Sequence, residues 1–190
     1  MEAWPGCAFS ADWPGGQPKL TLAEFNAVPA AQAEQALLDC CGSTRWAFRV
    51  AARRPFRSLL DLSDAADSAW HNLKAADWLE AFGRHPRIGE RAATGSGSSR
   101  RWAEGEQTGA RIATENVKVR LAQGNQSYRE KFGYIFIVCA SGKSAEEMLA
   151  LLEQRLQNDP VRELEIAAEQ QRLITRLRIE KLLPGERPHT

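Results

Sequence analysis

Residues 161–183 read VRELEIAAEQQRLITRLRIEKLL. Within this stretch Leu164, Ala167, Ala168, Gln171, Ile174, Arg178 and Leu182 fall near one face at helical spacing, and Pro184 and Gly185 stop the run. The rest of the chain repeats the pattern. Ala, Leu, Glu, Gln and Arg recur at helical spacing in segment after segment, so by count of segments the expected fold class is all-α.

Immediately upstream, Ser144 with Glu147 three residues on forms a capping box for a helix that carries Met148, Leu151, Leu152, Arg155 and Leu156. That helix stops at Asn158, Asp159 and Pro160. Before it stands FGYIFIVCASGK, Phe132 to Lys143, whose apolar part over 132–140 is too short for a typical helix. It reads either as a buried strand or as an irregular apolar segment. Residues 102–123 read as one long helix with Ala103, Gln107, Ala110, Thr114 and Val117 on a stripe, and residues 125–131 as a short one after Gly124. The Gly/Ser-rich stretch 87–101 has almost nothing apolar and reads as a surface excursion or a mobile lid.

Toward the N-terminus, residues 77–82 predict a short helix ended by Gly83, which puts His85 just past a helix C-terminus. Ser58 or Asp61 opens a segment running to Asn72, with Trp70 in the core. Ser43 caps a helix through Trp46, Phe48 and Val50 that ends near Arg53, Arg54, Pro55 and Phe56, where the residue before proline favours a turn. Residues 30–41 form a helix stopped by Gly42, and Thr21 with Glu24 makes a capping box for residues 22–26. Residues 1–18, punctuated by proline and glycine around Trp4, Phe9 and Trp13, read as an irregular arm. The expected organisation is that arm, one compact helical domain over 19–184, and a tail over 185–190.

Twenty-five basic and twenty-four acidic residues leave a net charge of +1. With both signs interspersed, there is no electrostatic case for nucleic acid or a membrane surface. The four cysteines, at 7, 40, 41 and 139, lack the spacing of a zinc ribbon or a redox pair and fit free thiols in a reducing compartment. No apolar run approaches the roughly 20 residues that span a bilayer. The expectation is a soluble cytoplasmic protein; a peroxisomal place would need an address that the C-terminal Pro188, His189 and Thr190 do not provide.

Of the three histidines, His189 lies in the tail and His71 among polar neighbours, which leaves His85 as the acid/base candidate, its direction restricted by Pro86. The competing reading is a histidine that caps the carbonyls of the preceding helix. Glu106 and Gln107 sit in the first turns of their helix, where solvated residues are common. Arg178 on an apolar stripe needs an anionic partner or a route to water. No HExxH, CxxC, dinucleotide or phosphate loop is present, so the residues point away from metals and toward cofactor-free chemistry by His, Glu and Arg.

These motifs, in this order, resemble one family. Arg54 to Phe56, HPRIG (His85 to Gly89), Glu106 and Gln107 after Trp102, FGYIFIVCASGK, Ser144 to Leu149 and ITRLRIEKLL (Ile174 to Leu183) are similar to the 2-oxo-4-hydroxy-4-carboxy-5-ureidoimidazoline (OHCU) decarboxylases of purine catabolism. The likeness is greatest to the decarboxylase part of plant and bacterial allantoin synthases, and it covers residues 20–183. It implies a single all-helical domain, a homodimer, no cofactor, and conversion of OHCU to (S)-allantoin and carbon dioxide. By the same resemblance His85, Glu106 and Arg178 are catalytic. Pro86, Ala103, Glu104, Gly105, Gln107 and the backbone of Phe136, Ile137, Val138, Cys139 and Ala140 line the substrate, with the 136–140 amides as fixed dipoles. Many members have serine where this chain has Ala103, so one hydroxyl contact is missing. The transthyretin-like hydrolase domain of fused relatives is expected on a separate protein. Two rival readings stay open: a non-catalytic helical module for purine-like ligands, and another cofactor-free lyase or isomerase.

Overall fold

In the computed structural model, which describes residues 20–85 and 114–184, all regular structure is helical. The chain winds through α1 (Leu22–Ala27), α2 (Ala30–Cys41), α3 (Thr44–Ala51), α4 (Leu59–His71), α5 (Ala75–Phe82), α6 (Glu115–Phe132), α7 (Ala145–Arg155) and α8 (Pro160–Leu182). Among the described residues there is no strand.

Local chemistry sets most of the boundaries. The Thr21 hydroxyl accepts from the Glu24 amide while the Glu24 carboxylate accepts from the Thr21 amide, and Ser144 and Glu147 do the same for α7. Ser43 and Ser58 cap α3 and α4, which decides for Ser58 over Asp61 and makes α4 a single helix. Asp159 caps α8 by accepting from the Val161 and Arg162 amides, and Pro160 occupies the first turn, where its missing N–H costs nothing. Gly42 ends α2 at φ 91°, and a Cβ there would lie 3.1 Å from the Ala81 carbonyl oxygen, so α2 and α5 meet backbone to backbone.

The turn at Arg54, Pro55 and Phe56 is a clamp. Arg54 donates to the carbonyls of Phe25 (2.9 Å) and Val28 (2.8 Å), which α1 leaves without helical partners, and Asn26 exchanges two hydrogen bonds with the Phe56 backbone. α8 runs through the middle of the domain, in contact with α2, α4, α5 and α6. Its buried face includes Ala167, Ala168, Gln171, Ile174, Thr175, Arg178, Ile179 and Leu182, the stripe expected from the sequence with Leu164 displaced to its edge. A main core forms around α1 to α5 and α8, with Trp46 and Trp70 inside it. A second forms around α6 and α7. Residues 133–140 pass between them as an extended, irregular segment, with Tyr134 packed against both.

Two expectations fail here. Thr114 has extended backbone (φ −60°, ψ 154°) and caps α6, so no single helix spans 102–123; the part before Thr114 lies outside the described residues. Helix α6 instead runs through Gly124 without a break. The glycine is there for packing: a Cβ would lie 2.6 Å from Leu152 Cδ2 on α7. Gly124→Ala gains about 1 kcal/mol of helix propensity but forces the buried Leu152 aside, at about 1–3 kcal/mol. Gly124→Val loses part of that gain to β-branching and adds two more methyl groups at the contact. Urea denaturation should therefore show Gly124→Ala near neutral or mildly destabilised and Gly124→Val clearly destabilised. A Val variant as stable as wild type would mean the helices do not approach this closely.

Candidate active site

His85 follows α5, its amide bonded to the Phe82 carbonyl at 3.1 Å, so the expected position past a helix end is the observed one. The ring is half-buried. Its Nε2 is sealed from water and has no hydrogen-bond partner among the described residues, so that nitrogen does not cap the carbonyls of α5. Burial pushes the imidazole pKa down to about 3, the nearby Arg178 charge pushes in the same direction, and Gln171 opposes them through a side-chain interaction. At neutral pH His85 is an uncharged imidazole beside a cation.

Opposite it stands one face of α8. Gln171, Thr175 and Arg178, spaced four and three residues apart, are all buried. Arg178 donates to the Cys40 carbonyl at 3.4 Å. The Gln171 amide nitrogen donates to the Cys41 carbonyl (3.2 Å) and to the Thr175 hydroxyl (3.3 Å), and that hydroxyl donates to the Gln171 carbonyl (2.9 Å). Both cysteine carbonyls belong to the last turn of α2, where no helical donor remains and the helix dipole is negative. A cation and an amide N–H2 are the natural partners there. The Cys41 thiol is itself buried and its pKa is raised to about 12, so it is inert.

Of the segment expected to line the substrate, Phe136, Ile137 and Val138 are buried and Cys139 and Ala140 half-buried. Its polar groups are already engaged at several points. The Cys139 amide donates to the Gln170 side chain at 3.0 Å, the Cys139 carbonyl accepts from Lys143 at 2.9 Å, and the Ile137 carbonyl accepts from Arg155 at 2.7 Å. Arg155 also bonds the Glu163 carboxylate at 2.6 and 2.7 Å and lies 4.7 Å from the Phe136 ring centre. Tyr128 donates to the same carboxylate, and Asn158 donates to its other oxygen at 2.7 Å.

The structure thus brings His85 and Arg178 together and adds Gln171, which the sequence shows only as one more residue on the α8 stripe. A buried amide among Leu, Ile and Ala was the available signal, of the same kind that singled out Arg178. Pro86, Ala103, Glu104, Gly105, Glu106 and Gln107 lie outside the described residues, as do the stretch 87–101, the arm with Trp4, Phe9 and Trp13, and the tail. Among the described residues no group of His, Cys, Asp and Glu is arranged to hold a metal, and no helix is long and apolar enough to cross a membrane.

Fold and site together define an all-helical protein with a neutral imidazole and a guanidinium set side by side, equipped for proton transfer on an anionic or carbonyl-bearing small molecule. Comparison with known proteins makes this specific. The family model for OHCU decarboxylase matches residues 26–180, and the chain belongs to that family. It is 39% identical over 145 residues to a uric acid degradation bifunctional protein of Arabidopsis thaliana, covering 75% of this chain and 45% of that one. It therefore spans just under half the length of that relative. To the OHCU decarboxylase of Amia calva it is 28% identical over 138 residues, covering 72% and 79% of the two chains. A crystal structure of an OHCU decarboxylase in the presence of (S)-allantoin matches with a TM-score of 0.69 at 37% identity, over 79% of this chain and 98% of that one.

Two measurements test the electrostatics described. His85 takes up its proton near pH 3 when folded and near pH 6.5 when unfolded, so between those values the unfolded state binds more protons. Its contribution to stability is complete above pH 6.5 and declines as the pH falls toward 3. In urea titrations between pH 7 and pH 4, His85→Asn should lose stability less steeply than wild type; parallel curves would contradict the buried neutral ring. Separately, Arg155→Met leaves the Glu163 carboxylate buried without its cation and should cost about 3–5 kcal/mol, much of it recovered in the double variant with Glu163→Gln. A single variant within error of wild type would show that the pair is not desolvated.

Proposed function

We propose that the protein decarboxylates OHCU to (S)-allantoin. The observation that carries this reading is the His85 imidazole, held neutral and next to Arg178 on the scaffold of the OHCU decarboxylase family. The substrate bears a carboxylate and a hydroxyl on one ring carbon. When the C–C bond to the carboxylate breaks, carbon dioxide leaves and its bonding pair stays on the ring. The hydroxyl proton must be removed and a proton returned to carbon.

A neutral imidazole suits the first of these steps, because it has a free lone pair at physiological pH. Arg178, fixed by the α2 carbonyl, offers a planar donor set for a carboxylate or a developing oxyanion. The same cation favours transfer of a proton from His85 back to the substrate, since it disfavours the imidazolium. Glu106, Pro86, Gln107 and residues 103–105 enter this reading from the resemblance of the sequence, with Glu106 sharing the proton traffic. The backbone of Phe136 to Ala140 is proposed to bound the substrate, and its rigid hydrogen bonding supports that. Return of the proton to one face gives one enantiomer. No cofactor is required by these steps. Homodimeric assembly and a cytoplasmic place belong to the same proposal and rest on the resemblance over residues 20–183.

Freshly generated OHCU, incubated with the protein and followed by circular dichroism, should yield the (S)-allantoin signal faster than the spontaneous reaction. His85→Asn should lower kcat by about 10²–10⁴-fold, the usual contribution of one acid/base group, with the far-ultraviolet spectrum retained. Wild-type turnover in that variant would remove His85 from the mechanism, and binding of purine-like ligands without turnover in the native protein would favour a binding module.

A further inference from the structure

His85 has two ring nitrogens, and a neutral imidazole carries its hydrogen on only one. Which nitrogen is left as the base decides the direction from which a proton can be taken. The structure contains the group that makes this choice. Gln171 is entirely buried, and its side-chain amide is held in one orientation, since each of its two N–H groups has an acceptor, the Cys41 carbonyl and the Thr175 hydroxyl. That hydroxyl spends its own hydrogen on the main-chain carbonyl of Gln171, so toward the side-chain amide it can only accept. Turning the amide over would set its oxygen against the Cys41 carbonyl.

What Gln171 has left is its oxygen. Gln171 Oε1 and His85 Nε2 are both sealed from water, both lack a partner among the described residues, and the two side chains are close enough to interact. An orphaned buried acceptor and an orphaned buried ring nitrogen on two interacting side chains can satisfy one another only if the nitrogen carries a hydrogen. We infer that Gln171 is a positioning residue that holds His85 as the Nε2–H tautomer through its amide oxygen and leaves Nδ1 as the nitrogen that exchanges protons with the substrate. The relay is short: the α2 carbonyl and Thr175 orient the amide, the amide orients the ring, and the ring acts. It also accounts for a glutamine on a largely apolar stripe, one residue from the Gln170 that fixes the Cys139 amide.

The inference rests on His85 being the proton-transferring group, yet its test needs no turnover. In protein with 15N-labelled histidine, long-range proton–nitrogen spectra of the substrate-free protein above pH 6.5 distinguish the tautomers. With three histidines in the chain, loss of one set of signals in His85→Asn assigns them. His85 should show a protonated Nε2 and an unprotonated Nδ1. Gln171→Met, close in volume but without the acceptor, should move the pattern toward a mixture of tautomers and lower kcat by up to the about 10²–10⁴-fold that His85 supplies, with KM changed far less. Thr175→Ser should keep the wild-type nitrogen pattern because it keeps the hydroxyl, whereas Thr175→Val should give an intermediate one.

An Nδ1–H tautomer in the wild type overturns the inference, and so does an unchanged pattern in folded Gln171→Met. Should that variant fail to fold, the wild-type tautomer and the Ser/Val contrast at position 175 decide. A wild-type Nε2–H tautomer in a protein that does not decarboxylate OHCU would leave the positioning role standing and overturn the proposed function.

Discussion

A full positive and a full negative charge, Arg155 and Glu163, meet inside this protein with side chains 7% and 0% exposed. Either one alone would cost several kcal/mol to remove from water, so the two are obliged to meet, and everything attached to them is obliged to be in register. Arg155 closes α7, Glu163 opens α8, and Asn158 in the turn between them completes the carboxylate. Tyr128 brings α6 to the same point; burial and its bond to the carboxylate raise its pKa, so it stays a protonated donor. The guanidinium then reaches out to the Ile137 carbonyl and over the Phe136 ring. A well-packed apolar cluster could give equal stability. What it would lack is directionality, and an extended segment with no sheet to hold it needs directional bonds.

The placement of His85 follows a similar economy. Its neutrality comes from lost hydration and a neighbouring cation, both of which disfavour the protonated ring. The cation in turn donates to the Cys40 main-chain carbonyl at the negative end of α2. An arginine and a neutral imidazole can therefore sit side by side.

Much of this was legible in the sequence because it is local. Capping boxes at Thr21 and Ser144, the stop at Gly42 and the periodicity of residues 161–183 are decided by neighbours three and four residues away, and the structure agrees with them. His85 and Arg178 stood out because each breaks the rule of its own segment. The misread parts were set by distant residues. Gly124 looked like a break until α7 came within reach of it; Thr114, taken as part of a stripe, is by contrast a local misreading, since its hydroxyl caps α6 through the Val117 amide three residues on. The run over 132–140, left open between a buried strand and an irregular apolar segment, finds no strand partner among the described residues and is the second. Arg155 read as an ordinary helix residue, since nothing nearby in the chain announces Glu163 as a buried carboxylate.

Helix α2 meets the His85 cluster chiefly through its main chain. Arg178 and Gln171 are anchored on the carbonyl oxygens of Cys40 and Cys41, groups that every amino acid carries. What this anchoring depends on is therefore chiefly where the end of α2 lies. Any residue at 40 and 41 presents the same carbonyls, provided the helix still stops at a residue tolerant of φ 91°. In a family history of this fold, the turn at Gly42 would stay fixed, and a search among invariant side chains alone would pass over the helix end on which Arg178 and Gln171 hang.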